Sequence, residues 1–377
     1  RNLGVQEANI IDIVKPITKY AVVVNDPEDI EDVMKDAVRI ATHGRPGPVW
    51  IDIPMDVQGA EYITVEDLVK KAERPLILAG NGINCADARN EFKNFVLRTN
   101  LPVVTSYNGV DLISSDDVNY VGRVGVKGTR AGNFAMQNCD LLLVIGCRLP
   151  VPVTGYNYTT FAREAKVVVV DIDKDEHEKE TVEIDRFVHR DAKDFFNTTR
   201  FSRPRSEWNE TCLRWRDQWP VCPNTNPTEK VDLYYFMKVL NDRKRIDDVV
   251  ISDAGSAFYV CSQATNIEAQ QRYITSSSQA EMGFTIPACI GASFAKDGEV
   301  IGVTGDGSFM MNLQELQTIK HYNLPIKLFV WNNDGYLSIR TTQKKFFEGR
   351  EIGTDAESGV SIPSIRDVVK SFGIEHI

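Results

Sequence analysis

Long apolar runs are missing from this chain: none approaches the roughly 18 residues needed to cross a bilayer. The first residues show no signal-peptide pattern either. Basic residues are in deficit, with 43 Lys plus Arg against 53 Asp plus Glu and a net charge of −10. That balance argues against an extended nucleic-acid face, which needs a basic surface. It leaves room for a small anion held by backbone amides or a metal. Histidine is scarce: His43, His177, His189, His321 and His376 show no metal-ligand spacing and read as solvated or structural. The seven cysteines are odd in number and scattered, with no C-x-x-C pair. They read as reduced thiols of a cytoplasmic protein rather than a disulfide framework or zinc site. Cys261 and Cys289 read as small core residues. No internal repeat or low-complexity tract is present.

What remains is an ordinary globular composition, 42% apolar and 25% charged over 377 residues. At about 150 residues per domain, that length makes two to three domains. Short apolar segments alternate with amphipathic ones. Strands are expected at Pro48–Ile53, Pro75–Ala79, Pro102–Thr105, Asp140–Gly146, Lys166–Asp171, Asp248–Ser252, Val300–Thr304 and Pro325–Trp331. Such runs read as parallel strands buried on both faces. Helices are expected over 27–41, where Ile30, Val33, Ala37 and Ile40 recur, and over 309–322, where Phe309, Leu313, Leu316 and Ile319 do. The fold class is therefore α/β with doubly wound parallel sheets. Two polar or proline-rich zones, Met55–Arg74 and Phe201–Pro227, read as linkers, the second partly helical. The expected segments are 1–58, a central domain over 65–200, a linker over 201–227 and a third domain over 228–377.

Ligands of open parallel sheets bind beyond the carboxyl ends of the strands. The strongest signal there is Gly305-Asp306-Gly307-Ser308 after Val300–Thr304, followed by a helix. Flanking glycines allow a tight turn and close ligand approach. The helix start offers free amides suited to a phosphate. Asp306 is a hard oxygen ligand of the kind Mg²⁺ takes together with phosphates and water. The next strand ends in Asn332-Asn333-Asp334-Gly335, with Asn333 lying 27 positions after Asp306. A lone G-D-G is most simply a surface turn; the pairing with N-N is the thiamine diphosphate signature.

Around that signature the chain resembles the thiamine diphosphate enzymes of the acetolactate synthase (acetohydroxyacid synthase) type over nearly its whole length. QEANIIDIVKPITKY and HGRPGPVWIDIPMDVQ look like the end of the family's pyrimidine-binding domain. RPLILAGNGI, LPVVTS, DLLLVIGCRL and VVVVDIDKDE are similar to its Rossmann-like central domain. AEMGFTIPACIGA and GDGSFMMNLQELQTIKHYNLPIKLFVWNNDGY are similar to its diphosphate-binding domain. The resemblance implies that Asp306 and Asn333 bind Mg²⁺ by side chain and Gly335 by its carbonyl. It places Gly305, Gly307, Ser308 and the turn Gly255-Ser256-Ala257 at the diphosphate. Met282 matches the methionine that keeps the cofactor V-shaped, with ordinary core packing as its alternative. The implied reaction is decarboxylation of a 2-oxoacid, pyruvate foremost, and ligation of the two-carbon unit to a carbonyl acceptor. The rivals are a non-ligating decarboxylase or oxidase, and a non-catalytic nucleotide- or flavin-binding homologue. The family's cofactor lies between subunits, so a homodimer or homotetramer is implied.

Three features need separate treatment. In the centre, Gly80-Asn81-Gly82, the loop Gly122–Gly128, Arg148 and Asp171 fall where family members hold FAD, against the alternative of an empty structural domain. The acidic run Asp173–Glu183, interrupted by Lys174 and Lys179, reads as a solvated helix face rather than a calcium site. Finally, the family's catalytic glutamate lies upstream of anything matching residues 1–58, and Glu7 belongs to a different Q-E pair. The expectation is an internal piece of a longer enzyme, truncated at both ends, with its catalytic residue unassigned. Losing such an acid costs about 10²- to 10⁴-fold in rate. Ser278-Gln279-Ala280-Glu281 replaces a Gly-Leu-Gly-like stretch, and Thr342 stands where the family tryptophan shapes acceptor choice. These departures imply a wider, more polar pocket and an acceptor other than a second pyruvate, for example a nucleotide-linked ketosugar.

Overall fold

The computed structural model describes residues 8–268, 270–296 and 298–377, so Glu7 lies outside the described residues. The chain divides into two compact units, one ending at Lys71 and one beginning at Ala72. The first contains a parallel pair, β1 (Tyr20–Val23) and β2 (Val49–Asp52), connected through the helix Ile30–Thr42. That helix buries only Ala37 of its expected stripe. Two short helices, Met55–Gly59 and Val65–Lys71, occupy the strand-free polar stretch.

The second unit holds two parallel sheets. The first comprises β3 (Pro75–Ala79), β4 (Val103–Thr105), β5 (Tyr120–Arg123), β6 (Leu141–Ile145), β7 (Lys166–Asp171) and β8 (Arg186–His189). Its order is β5-β4-β3-β6-β7-β8, so the winding reverses between β3 and β6. That is the doubly wound arrangement, and its crevice opens at the reversal. Every residue of β3 and β6 is buried, as continuous apolar runs require when helices cover both faces.

The stretch expected to be a linker after Phe201 is not a free tether. Its helix Glu207–Gln218 sends Trp208 and Cys212, at helical spacing, into the core cluster that includes Leu142, Val144 and Val167, with Trp215 packed against it. The Trp208 indole donates to the Pro75 carbonyl at 3.1 Å. The prolines that marked a linker, Pro204 and Pro220, simply bracket this helix.

The second sheet comprises β9 (Val249–Ser252), β10 (Arg272–Thr275), β11 (Val300–Gly305) and β12 (Ile326–Trp331), in the order β10-β9-β11-β12. β9 is buried throughout. β12 is not, contrary to its apolar sequence: it is an edge strand with Lys327 exposed. Within this unit the two sheets are tied by polar contacts. The buried Arg123 guanidinium donates to the Gln263 and Thr265 carbonyls, and Arg272 pairs with the buried Asp111. The Ser115 amide donates to the Ile267 carbonyl at 2.8 Å, and Tyr107 meets Phe258 edge-on at 5.3 Å. Among the described residues no helix is long and apolar enough to cross a membrane.

Candidate cofactor site at the ends of β9, β11 and β12

β11 ends at Gly305 in ordinary extended geometry, and a short helix, Asp306–Phe309, starts immediately. Asp306 is 1% exposed. Its Oδ1 accepts the Gly307 amide at 2.7 Å. Its Oδ2 accepts the Asn333 amide at 3.1 Å and the Gly335 amide at 3.0 Å. The register of β11 against β12 explains the meeting, because Gly305 is paired with Trp331. Asn332 serves the turn locally, accepting the Asp334 amide at 3.1 Å. Gly335 needs its positive φ of 123°, and a side chain there would run into the Thr354 backbone.

This corner fits a hard divalent ion. A buried carboxylate grips the turn that carries Asn333, and the Asn333 Oδ1 is buried without a partner. An orphaned buried acceptor is costly unless something not yet counted satisfies it. Among the described residues no group of three or more His, Cys, Asp or Glu could hold a metal. A site of one carboxylate, one amide oxygen and one carbonyl therefore suits Mg²⁺, which completes its shell with phosphates and water.

The two glycines around Asp306 play different parts. At Gly305 an added Cβ would meet nothing within 4 Å, so the space beside it is open. At Gly307 it would press on the Tyr336 ring, 2.7 Å from Cδ1. Gly307 is thus required by the protein's own packing. The single helix expected over Phe309–Tyr322 is broken: a 3₁₀ segment, Met310–Glu315, precedes the helix Leu316–Tyr322. Asn312, with φ −135° and ψ 32°, marks the break.

Across the sheet, β9 leads into the helix Gly255–Ala264. Gly255 has a φ of 57°, and no side chain caps this helix. The first-turn amides of Gly255, Ser256 and Ala257 are therefore offered to an anion. Just before them lies a residue that sequence reasoning missed. Asp253 is fully buried; its Oδ1 accepts the Ala254 amide at 2.7 Å. Its Oδ2 accepts the hydroxyls of Ser308 and of Thr304, the latter at 3.0 Å. The available signal was positional: Ser-Asp-Ala-Gly ends β9 as Thr-Gly-Asp-Gly ends β11. Met282 is 42% exposed, so the core of this chain does not enclose it.

Residues 64–198 match the family described as "Thiamine pyrophosphate enzyme, central domain", and residues 253–377 match "Thiamine pyrophosphate enzyme, C-terminal TPP binding domain". The chain is 32% identical to the acetolactate synthase isozyme 2 large subunit of Escherichia coli K12, over 99% of this chain and 71% of that protein. It is also 32% identical to the acetolactate synthase large subunit of Parasynechococcus marenigrum, over 99% of this chain and 65% of that one. It is 29% identical to the chloroplastic acetolactate synthase 1 of Zea mays, over 98% of this chain and 63% of that one. The chain belongs to the acetolactate synthase-like family of thiamine pyrophosphate enzymes. It spans between 63% and 71% of the length of these relatives.

In family terms the six-stranded sheet is the central domain. Gly80, Gly82, Arg148 and Asp171 all lie at the carboxyl ends of β3, β6 and β7. Close packing accounts for the glycines. A Cβ on Gly82 would sit 2.6 Å from Gly146 Cα, and one on Gly80 2.6 Å from Cys147 Cα. In the loop Gly122–Gly128, Gly125 and Gly128 meet neighbouring backbone, whereas Gly122 abuts the Thr129 side chain. Arg148 is exposed and pairs with Glu176 at 3.1 Å. Asp171 faces His177 Nε2 at 3.4 Å. Burial pushes the Asp171 carboxyl up, but His177 and the amides of Asp173 and Ile172 outweigh it and hold it below the usual range. Within the acidic run, only Lys174–His177 is helical.

Proposed function

We propose that this chain supplies the metal–diphosphate half of an enzyme that uses thiamine diphosphate and Mg²⁺ to decarboxylate pyruvate and ligate the two-carbon unit to a carbonyl acceptor. The observation that carries it is the Asp306 carboxylate gripping the Asn333–Gly335 turn, beside a buried acceptor without a partner. Asp306, Asn333 and the Gly335 carbonyl would hold the metal. The amides of Gly255, Ser256 and Ala257, with the open side of Gly305 and the start of the helix at Asp306, would receive the diphosphate. Met282 would wedge under the cofactor. When bound, the cofactor supplies the electron sink for losing carbon dioxide, and the protein supplies geometry, charge and exclusion of water. The non-ligating and non-catalytic alternatives are not favoured, since the similar proteins of known name are acetolactate synthases.

Finer readings belong to the same proposal. A homodimer or homotetramer follows from the family arrangement, and a cytoplasmic location from free cysteines, five of them buried. FAD, where the central domain holds it, would lie by Gly80, Gly82, Arg148 and Asp171 at the ends of β3, β6 and β7, and the decarboxylation and ligation, redox-neutral overall, need no electrons from it. The acceptor is a carbonyl compound other than a second pyruvate. Thr342 supports this: it projects no large apolar ring, and its hydroxyl only back-bonds to the Ser338 carbonyl at 3.1 Å.

The test is calorimetric titration of the intact protein with thiamine diphosphate, with and without Mg²⁺. Binding is expected only with the metal, and Asp306→Asn or Asn333→Ala is expected to weaken it at least about tenfold. Metal-independent binding, or none, would refute the site. Full-rate acetolactate formation from pyruvate alone would refute the acceptor reading.

A further inference from the structure

The break at Asn312 has no proline or glycine to cause it, the local sequence being Met310-Met311-Asn312-Leu313. It does bring the Asn312 side chain to a particular partner: Nδ2 donates to the Gly283 carbonyl at 2.9 Å. From the other side, the Gly283 amide donates to Ser308 Oγ at 2.7 Å. One residue is thereby held by both its backbone polar groups, the N–H of the peptide before it and the C=O of the peptide after it. There is little slack around it. Gly283 has a φ of 87°, and a Cβ there would lie 2.7 Å from Met311 Cβ and 2.9 Å from Asn312 Nδ2.

Both grips lead to the turn that carries Gly-Asp-Gly-Ser. The Ser308 hydroxyl gives its hydrogen to Asp253 Oδ2 and takes the Gly283 amide on its lone pair. The same Asp253 oxygen accepts the Thr285 amide at 3.4 Å, beyond Gly283 in the loop. A fully buried carboxylate with no Lys or Arg bonded to it among the described residues is therefore satisfied entirely by this set of donors. Met282, immediately before the clamped glycine, is 42% exposed and gains no rigidity from the core. A methionine has three rotatable bonds and a large rotamer entropy, so it can act as a wedge only if its backbone is fixed.

We propose that Asp253, Ser308 and Asn312 form a clamp on the backbone of Gly283 whose task is to position Met282 against the cofactor. They are positioning residues, and the inference rests on the thiamine diphosphate reading above. The clamp makes one rigid piece of two elements distant in sequence: the turn that meets the diphosphate, and the loop that shapes the rest of the cofactor. It gives a role to the inward-turned hydroxyl of Ser308.

The test uses the intact protein with thiamine diphosphate and Mg²⁺, and the variants Asn312→Ala, Ser308→Ala, Ser308→Thr and Met282→Ala. Cofactor affinity, kcat and the near-ultraviolet circular dichroism of the bound cofactor are measured. For Asn312→Ala and Ser308→Ala, kcat should fall about tenfold or more while affinity changes less than about threefold, the scale of one lost hydrogen bond felt mainly at Met282. The dichroism should change with kcat, and Ser308→Thr should restore both. Adding Met282→Ala to Asn312→Ala should cost little more than either alone, because both remove the same contact. Additive losses, affinity and kcat falling in parallel, or unchanged kcat would overturn the clamp. A wild-type protein that binds no thiamine diphosphate would overturn the clamp and the underlying reading together. Should Ser308→Ala not fold, Asn312→Ala, at a half-buried position, decides the matter.

Discussion

Replacing Gly307 by alanine separates packing from ligand binding within one motif. The new methyl would lie 2.7 Å from Tyr336 Cδ1 and nearer still to Cε1. Carbon atoms in contact prefer about 3.5–4.0 Å, so the ring must shift by about 1 Å or more. It cannot shift alone. The Tyr336 amide is bound to the Thr354 carbonyl at 2.8 Å, and its neighbour Gly335 donates to Asp306 at 3.0 Å. Overpacking of this kind costs about 1–3 kcal/mol. Gly305→Ala is the matched control: nothing lies within 4 Å of its Cβ, and its φ of −82° suits any residue. Its stability should change by less than about 0.5 kcal/mol. Chemical denaturation of the cofactor-free variants measures both. Cofactor titration should then show Gly305→Ala weakened despite its intact stability, since its methyl enters the space assigned to the diphosphate. Tyr336→Leu should relieve most of the Gly307→Ala cost. A Gly307→Ala protein as stable as wild type, or a destabilised Gly305→Ala, would refute the reasoning.

Two further outcomes are expected. Burial pushes the Cys139 and Cys289 thiols up to about 12 and those of Cys147 and the half-buried Cys222 to about 11, with Cys212 and Cys261 higher still, while Cys85 is exposed. Native protein should therefore show one fast thiol toward a disulfide reagent, lost in Cys85→Ser, and all seven after denaturation; fast labelling of several in the native state would contradict the burial. Burial also pulls the Lys244 ammonium down to about 8. The folded state then releases this proton before the unfolded one does. Its penalty is in full force below pH 8 and is relieved as pH rises toward 10.5. Relative to Lys244→Gln, the denaturation midpoint should climb over that interval, and a flat difference would count against the assignment.

Much of this architecture can be read from the chain, and what cannot has physical causes. Pro75–Ala79, Leu141–Ile145 and Lys166–Asp171 announce themselves because interior parallel strands are apolar on both faces. Tyr120–Arg123, Arg186–His189 and Arg272–Thr275 do not, because each lies at a sheet edge and carries arginine or histidine. The pairing of Asp306 with Asn333 is legible because adjacent parallel strands fix it within one crossover. Asp253 and Asn312 are opaque for the opposite reason: their partners, Ser308 and Gly283, come from other crossovers. The helix in Phe201–Pro227 is legible, but its docking is not: the prolines around Glu207–Gln218 suggest a tether, and only the fold shows Trp208 and Cys212 in the core.

The contacts that join the two sheets of the second unit bear on how that unit comes apart. Asp111 is 1% exposed and bonded to Arg272, and Arg123 is buried with its guanidinium on two carbonyls of the neighbouring body. Opening either sheet alone would strand one of these charges in the other, and an uncompensated buried charge costs about 3–5 kcal/mol. Partial opening is penalised in this way, so the central and cofactor-binding bodies are coupled as a single cooperative unit. Amide hydrogens in the middle of β3 and β9 should accordingly exchange through a shared opening event, although the two strands lie in different sheets.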